Sequence, residues 1–192
     1  MRRAASPSAQ ETEMSKLTIT EALAEIKTIE KRVQKKREFV ISYLVRQEQL
    51  KDPLAKDGGS AKAIEHELQA MTDLEQRKVD IRNAIQRANA VTEISINGSN
   101  RTVADWLVWR REIAPGLQQF YKHVRNQLEA VRTEAMRKGL MTVAAEALAR
   151  PGDVIVNMDE KTLVEQTEDL ETVLGSLDGQ LSLKNATTFV DL

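Results

Sequence analysis

The stretch Thr18–Lys51, TITEALAEIKTIEKRVQKKREFVISYLVRQEQLK, decides the fold. It opens with Thr18-x-x-Glu21, a capping box. The threonine oxygen takes a free helix N–H, and the glutamate reaches back to the threonine N–H. A heptad follows. Ile19, Ile26, Val33 and Val40 fill one seam position; Ala22, Ile29, Lys36 and Tyr43 fill the other, and Leu23 and Leu44 widen the stripe. This spacing predicts a helix over 18–51, roughly 50 Å long at about 1.5 Å per residue. Asp52-Pro53 ends it, because proline disfavours a helical residue before it. Lys56-Asp57-Gly58-Gly59-Ser60 reads as a flexible loop with Ser60 as the next N-cap. A second helix over 61–88 carries Ile64, Leu68, Met71, Leu74, Ile81, Ile85 and Ala88 on one face. Two long helices joined by a short loop predict an antiparallel coiled-coil hairpin. Lys36 and Lys78 sit in the two seams, where their ammonium groups snorkel to the edge.

Beyond the hairpin the period changes to two. Thr92, Ile94 and Ile96 predict a strand, Asn97-Gly98 a type I′ turn, and Arg101-Thr102-Val103 the returning strand. From Asp105 the helical period resumes. Trp106, Ile113, Leu117, Phe120, Val124, Leu128, Val131 and Ala135 share one face at about 100° per residue. The stripe holds its phase across Pro115-Gly116, which predicts one kinked helix that Gly139 ends. Leu140–Ala149 is Ala-rich and predicts a short helix, Arg150-Pro151-Gly152 a turn, and Val154-Ile155-Val156 a strand or a packed linker. A last helix starts near Asp159, with Leu163, Leu170, Val173, Leu174, Leu177 and Leu181 on its stripe.

Two segments 96 positions apart echo each other. Ile81…Ile85…Asn89-Ala90-x-Thr92-x-Ile94-x-Ile96 parallels Leu177…Leu181…Asn185-Ala186-x-Thr188-x-Val190-x-Leu192. Each is a helix end, then Asn-Ala-x-Thr, then alternating apolar residues. Asn89 and Asn185 are candidate C-terminal caps, since asparagine tolerates the left-handed conformation. An isolated hairpin is marginal in water, so Thr188–Leu192 is expected to pair with the Thr92–Val103 hairpin as a third strand.

The expected fold is therefore mainly α. A long antiparallel coiled-coil hairpin at 18–88 is followed by a β-hairpin at 89–103. A helical part at 104–192 then supplies two further helices and a C-terminal strand, completing a small three-stranded patch. Residues 14–192 form one helical domain. The extension MRRAASPSAQETE at 1–13 reads as disordered, with Met14 as the natural start: Gln10-Glu11 can be encoded with an AGGAG ribosome-binding sequence two codons upstream, which points to a bacterial or phage gene.

Composition sets limits on function. The 192 residues are 41% hydrophobic, 30% charged and 4% aromatic, with 28 Lys+Arg against 29 Asp+Glu and no cysteine. The balance excludes a globally basic nucleic-acid binder. The missing cysteine excludes disulfides, thiol nucleophiles and iron–sulfur sites. No apolar run reaches the roughly 18 residues of a transmembrane helix, and the N-terminus lacks the apolar segment of a signal peptide. The expected location is the cytoplasm, or a virion if the gene is phage-encoded. His66 and His123 have no second ligand on the same helix face, so no metal is expected. Gly58-Gly59-Ser60-Ala61-Lys62 lacks the spacing of a phosphate loop. No catalytic constellation and no cofactor motif is found.

The candidate interaction surface is the third helix. Trp106 and Trp109 lie three apart on one face, as core at a sheet–helix junction or as an anchor for a partner. Arg111, Lys122, Arg125 and Arg132 form a basic flank, either a phosphate-contacting ridge or a set of ion-pair partners for the acidic last helix. Residues 101–138 carry a net +4 and residues 139–192 a net −7, which favours ion pairing over nucleic acid.

Asn89-Ala-Val-Thr92, Asn97-Gly98, Thr102-Val-Ala-Asp-Trp-Leu107, Arg110-Arg111 and the C-terminal Leu177-Asp178…Asn185-Ala-Thr-Thr188 together resemble the septicolysin-like family of small bacterial helical proteins. The resemblance covers most of 14–192. The chain departs from the pattern in its double tryptophan, in Pro115, and in having Ala186 where the family carries tryptophan. The family name implies a cytolysin, and the resemblance brings no catalytic residues with it. The function expected is that of a non-enzymatic helical structural or interaction protein. It would self-associate, or bind a protein partner, through its helix seams, for example as a phage or bacterial assembly component. A membrane-active role follows from the resemblance, and a nucleic-acid accessory role from the basic flank.

Overall fold

A computed structural model describes residues 16–145 and 147–192. The expected disordered extension and the start at Met14 lie outside the described residues. In chain order the elements are β1 (Lys16–Thr18), α1 (Ile19–Tyr43), α2 (Ser60–Val91), β2 (Glu93–Ile96), β3 (Ser99–Thr102), α3 (Val103–Val108), α4 (Ala114–Arg137), β4 (Thr142–Ala144), β5 (Val154–Val156), α5 (Glu160–Thr187) and β6 (Phe189–Asp191). The fold is mainly helical with small strand pairs. Contacts divide it into two compact units, one of residues up to Ala88 with Lys184–Leu192, the other Asn89–Leu183.

In the first unit β1 pairs antiparallel with β6, Leu17 opposite Val190. Thr18 then caps α1 through the predicted box: its Oγ1 accepts from the Glu21 N–H at 3.2 Å while Glu21 accepts from the Thr18 N–H at 2.8 Å. Helices α1 and α2 run antiparallel, joined by Glu25–Arg77 at 3.0 Å and Lys36–Glu67 at 2.6 Å. Ile19, Ala22, Ile26, Ile29 and Val33 bury against Ile81, Ala84, Ile85 and Val190. Lys36 follows this run of apolar residues and is half-buried and paired. Helix α1 stops at Tyr43 rather than at the expected Lys51. Past Val33 no apolar residue of α1 is fully buried, and Phe39, Val40 and Tyr43 are only half-buried. Ile41 is 71% and Val45 84% exposed, and β-branched and aromatic residues with no packing sustain a helix poorly. The connection contains one 3₁₀ turn, Ala55–Asp57. Ser60 begins α2, but its backbone N–H is taken by Asp52, at 2.8 Å.

In the second unit β2 and β3 form the predicted hairpin, Ile94 opposite Arg101. Asn97 (φ 48°) and Gly98 (φ 78°) both hold the positive φ that a type I′ turn demands. Thr102 caps α3 by accepting from the Asp105 N–H. Ile94, Ile96, Val103 and Trp106 bury against Leu177 and Leu181 of α5.

Three expectations need correcting here. The hairpin has no third strand: β6 pairs with β1, so the patch is two separate two-stranded ladders. Helices α2 and α5 run through Asn89 and Asn185 to Val91 and Thr187, so neither asparagine is a left-handed cap. The described residues of the Ala-rich segment at 140–149 form no helix; Thr142–Ala144 instead pairs in parallel with Val154–Val156. There Asp153 accepts from the N–H groups of Met141 and Arg150, at 3.2 and 2.8 Å, and holds the two strands' approach.

The helix across Pro115 is continuous, and Leu117, Val124, Leu128 and Ala135 of the expected stripe still turn inward, while Ile113, Phe120 and Val131 do not. Trp109–Ile113 is a π turn, and the Ala114 N–H reaches back five residues to the Trp109 carbonyl. Proline offers no N–H for an i→i−4 bond, and a π turn holds one extra residue. The inward position consequently moves from Ile113, 50% exposed, to Ala114, 1% exposed. Downstream, Tyr121 and Arg132 are less exposed than Phe120 and Val131, again one position on.

The echo is structurally real. Each unit has a helix end, a strand, an antiparallel partner strand and a threonine-capped helix. The Ile19 N–H donates to the Thr188 carbonyl at 3.0 Å, and the Val103 N–H to the Thr92 carbonyl at 2.7 Å. Ala22 and Trp106 occupy the matching buried place, as do Ile81 and Leu177. The β6–β1 ladder thus has the register of a hairpin without its turn. Joining Leu192 to Ser15 through Asn-Gly, omitting residues 1–14 and opening the chain between Asn97 and Gly98, should give a permuted protein with an unchanged circular-dichroism spectrum. A permutant lacking native helicity would contradict the equivalence.

Candidate functional site

The tryptophan pair is built into the second unit from the hairpin upward. The Thr102 cap directs α3 over the hairpin so that Trp106 is buried, and its indole N–H donates to the Ile94 carbonyl at 3.1 Å. Trp109, half-buried, meets it edge-on, with ring centroids 5.6 Å apart and planes at 88°. The Arg101 guanidinium lies 5.0 Å from the centre of the Trp106 ring. Arg110 pairs with Asp178 of α5 at 2.7 Å. Edge-on aromatic geometry and a satisfied indole N–H are what a buried junction requires. Trp106 is thereby withdrawn from any outer surface.

The basic flank is spread rather than gathered. Arg111 pairs with its neighbour Glu112, and Arg132 pairs with Glu160 of α5. Lys122 and Arg125 are exposed and have no ion-pair partner among the described residues. Lys122 lines an open groove with Gly116, Gln119, Phe120, His123 and Asn126. Two of the four flank cations are neutralised locally, which weakens a phosphate-contacting ridge.

Beyond the π turn part of the apolar stripe stays exposed. Of the 24 residues of α4, only Ala114 and Ala135 are buried. Ile113, Phe120 and Val131 face outward, and Leu117, Val124 and Leu128 are half-buried beside them. The sequence supplied the stripe correctly. Its outward turn was signalled only by Pro115 close behind Trp109, a spacing that a steric account of the missing N–H could have flagged. A second apolar patch lies at the end of α1, where Ile41, Leu44, Val45 and Leu50 are exposed next to Arg46 and Lys51. There the Phe39 and Tyr43 rings meet at a tilt of 45° with centroids 4.6 Å apart.

The shifted carboxylates serve turns and caps. Glu21 is lowered by the Thr18 backbone and side-chain hydrogen bonds, and Asp159 by the Thr162 hydroxyl and the Lys161 N–H. Asp153 is lowered by the Arg150 and Met141 N–H groups, and Glu134 by Lys138 and Arg137. His66 and His123 are exposed. Among the described residues no three His, Asp or Glu side chains converge as a metal site would need, and no helix is long and apolar enough to cross a membrane.

No family model and no curated protein matches the chain. A solved structure, described as that of a functionally unknown conserved protein from Corynebacterium diphtheriae, is similar in fold. It is 19% identical with a TM-score of 0.55, over 92% of this chain and 100% of that one. At that identity the likeness concerns the fold alone.

Asp52 carries a pH prediction. The Ser60 hydroxyl, then the Ser60 and Leu54 N–H groups, hold its carboxyl below the ordinary range. A depressed folded pKa means that its contribution is complete above the unfolded carboxylate pKa and is lost as pH falls through the lowered folded value. Acidification through that window should loosen the start of α2, and Asp52→Ala should do so at neutral pH. Hydrogen exchange at the Ser60 amide measures both, and equal protection in the variant and the parent would refute the assignment.

Proposed function

We propose that the chain is a non-enzymatic helical interaction protein that associates with itself. The observation that carries this reading is the outward apolar ridge of α4, where Ile113, Phe120 and Val131 are 50%, 53% and 37% exposed. A helix about 36 Å long at 1.5 Å per residue with such a ridge loses apolar area to water at roughly 25 cal/mol per Å² until something covers it. The antiparallel helix pairs and the ladders at their ends support a rigid frame for presenting that face. Light scattering at micromolar concentration should give a mass above the 21.6 kDa of one chain. Phe120→Glu should weaken the association by about a hundredfold, as for a buried aromatic anchor. A monomeric parent protein would reject the reading.

A second reading is contact with a lipid surface, in line with the septicolysin-like resemblance. Trp106 is buried and offers nothing to a membrane. What favours this reading is instead the α1 end, where exposed Ile41, Leu44 and Val45 sit beside Arg46 and Lys51, an apolar tip with cations suited to anionic headgroups. Co-sedimentation with phosphatidylglycerol vesicles that is abolished by Val45→Glu would support it; absence of binding at low salt would remove it.

A further inference from the structure

We propose that α4 packs antiparallel on α4 of a second copy, about a two-fold axis near Val124. This pairing presupposes the self-association above and specifies its surface. Three observations converge on it. The first is the ridge: exposed Ile113, Phe120 and Val131 with half-buried Leu117 and Val124 follow one another at spacings of four, three, four and seven, the seam of one helix lying along another.

The second is a groove of about 300 Å³ at the C-terminal end of the same face, where Ala130, Val131, Ala135, Leu140 and Val154 supply the apolar lining. In an antiparallel pair with Val124 at the centre, Leu117 of one copy meets Val131 of the other. Phe120 meets Gln127 and Leu128. Ile113, which the π turn pushes outward, reaches the partner's groove. Two-fold symmetry fills both grooves at once, as an isologous interface must.

The third is charge. Antiparallel helices related by such an axis place equivalent flanks side by side. Glu112 at one end of the ridge then faces Arg137 at the other end of the partner helix, twice. A parallel arrangement would instead set Glu112 against Glu112 and Arg137 against Arg137. Within the chain Glu112 pairs with exposed Arg111, and Arg137 with Glu134 on an exposed helix end. Surface pairs of this kind are weak and exchange partners readily.

The test uses the full chain in sedimentation equilibrium with charge-reversed variants. Glu112→Lys alone should weaken association about tenfold, and Arg137→Glu alone should do the same, since each sets like charges together at both ends. Mixing these two variants in equal amounts should restore association to within about threefold of the parent, because the mixed pair regains both opposite-charge contacts. The doubly reversed chain should likewise associate like the parent. Circular dichroism of each variant checks that it is folded. If the parent associates but neither mixing nor double reversal rescues, the antiparallel α4 pair is wrong while self-association stands. If Phe120→Glu leaves association unchanged, the face itself is wrong. A monomeric parent overturns this pairing and the self-association reading together.

Discussion

A backbone hydrogen bond from the first residue of a helix to the threonine carbonyl just before a returning strand organises this molecule, and it is made twice. Ile19 reaches Thr188 and Val103 reaches Thr92. Each bond satisfies a helix-start N–H that would otherwise be an orphan donor. It also fixes the angle at which a helix leaves its two-stranded ladder. From that angle follow the buried positions of Ile19 and Val103, both 2% exposed, and the face each helix shows to its antiparallel partner. Short ladders could not stand alone in water. Here each is roofed by helix, with Val190 buried in one core and Ile94 in the other.

The two units solve the same packing problem with different side chains. Where α1 places Ala22 against the core, α3 places Trp106. The larger ring fills the space above the hairpin and finds a carbonyl for its N–H. Its helix then has to pass Pro115, and the extra residue of the π turn absorbs the missing hydrogen bond. The cost is local: the inward place passes from Ile113 to Ala114, while Leu117, Val124, Leu128 and Ala135 keep theirs. Helix α1, with no such turn, buries its stripe as far as Val33. Ile113, Phe120 and Val131 of the later stripe are left exposed around helix α4. Repetition thus explains the frame, and a departure from it explains the exposed face.

Much of the frame could be read from sequence, because the signals were local and strong. The capping box at Thr18, the Asn97-Gly98 turn and the apolar periods of the long helices each have a short-range physical cause. The echo between Ile81–Ile96 and Leu177–Leu192 was also legible. Its meaning was missed because β1 is only Lys16–Thr18, too short for any alternation to show. The matching Thr-x-x-acid patterns at Thr18 and Thr102 would have revealed the right strand partner. The end of α1 was misplaced because a local stop signal at Asp52-Pro53 was preferred over the loss of packing beyond Val33. The outward turn of Ile113 escaped because a wheel with a constant angle cannot represent a turn that holds one more residue. The parallel pair β4–β5 rests on Asp153 bridging two loops, a long-range feature with no periodic trace. Of the candidate surface, the sequence showed the helix and its apolar stripe, but could not tell which of its residues the fold would cover.

Both tryptophans of the chain lie in the unit that contains the hairpin. Indole emission, excited selectively, therefore reports on Asn89–Leu183 and is dark to the other half. An unfolding curve followed by indole fluorescence would register loss of the Trp106 junction, while a far-ultraviolet signal would weigh the helices of both halves. A gap between the two curves would measure how independently the repeated halves come apart.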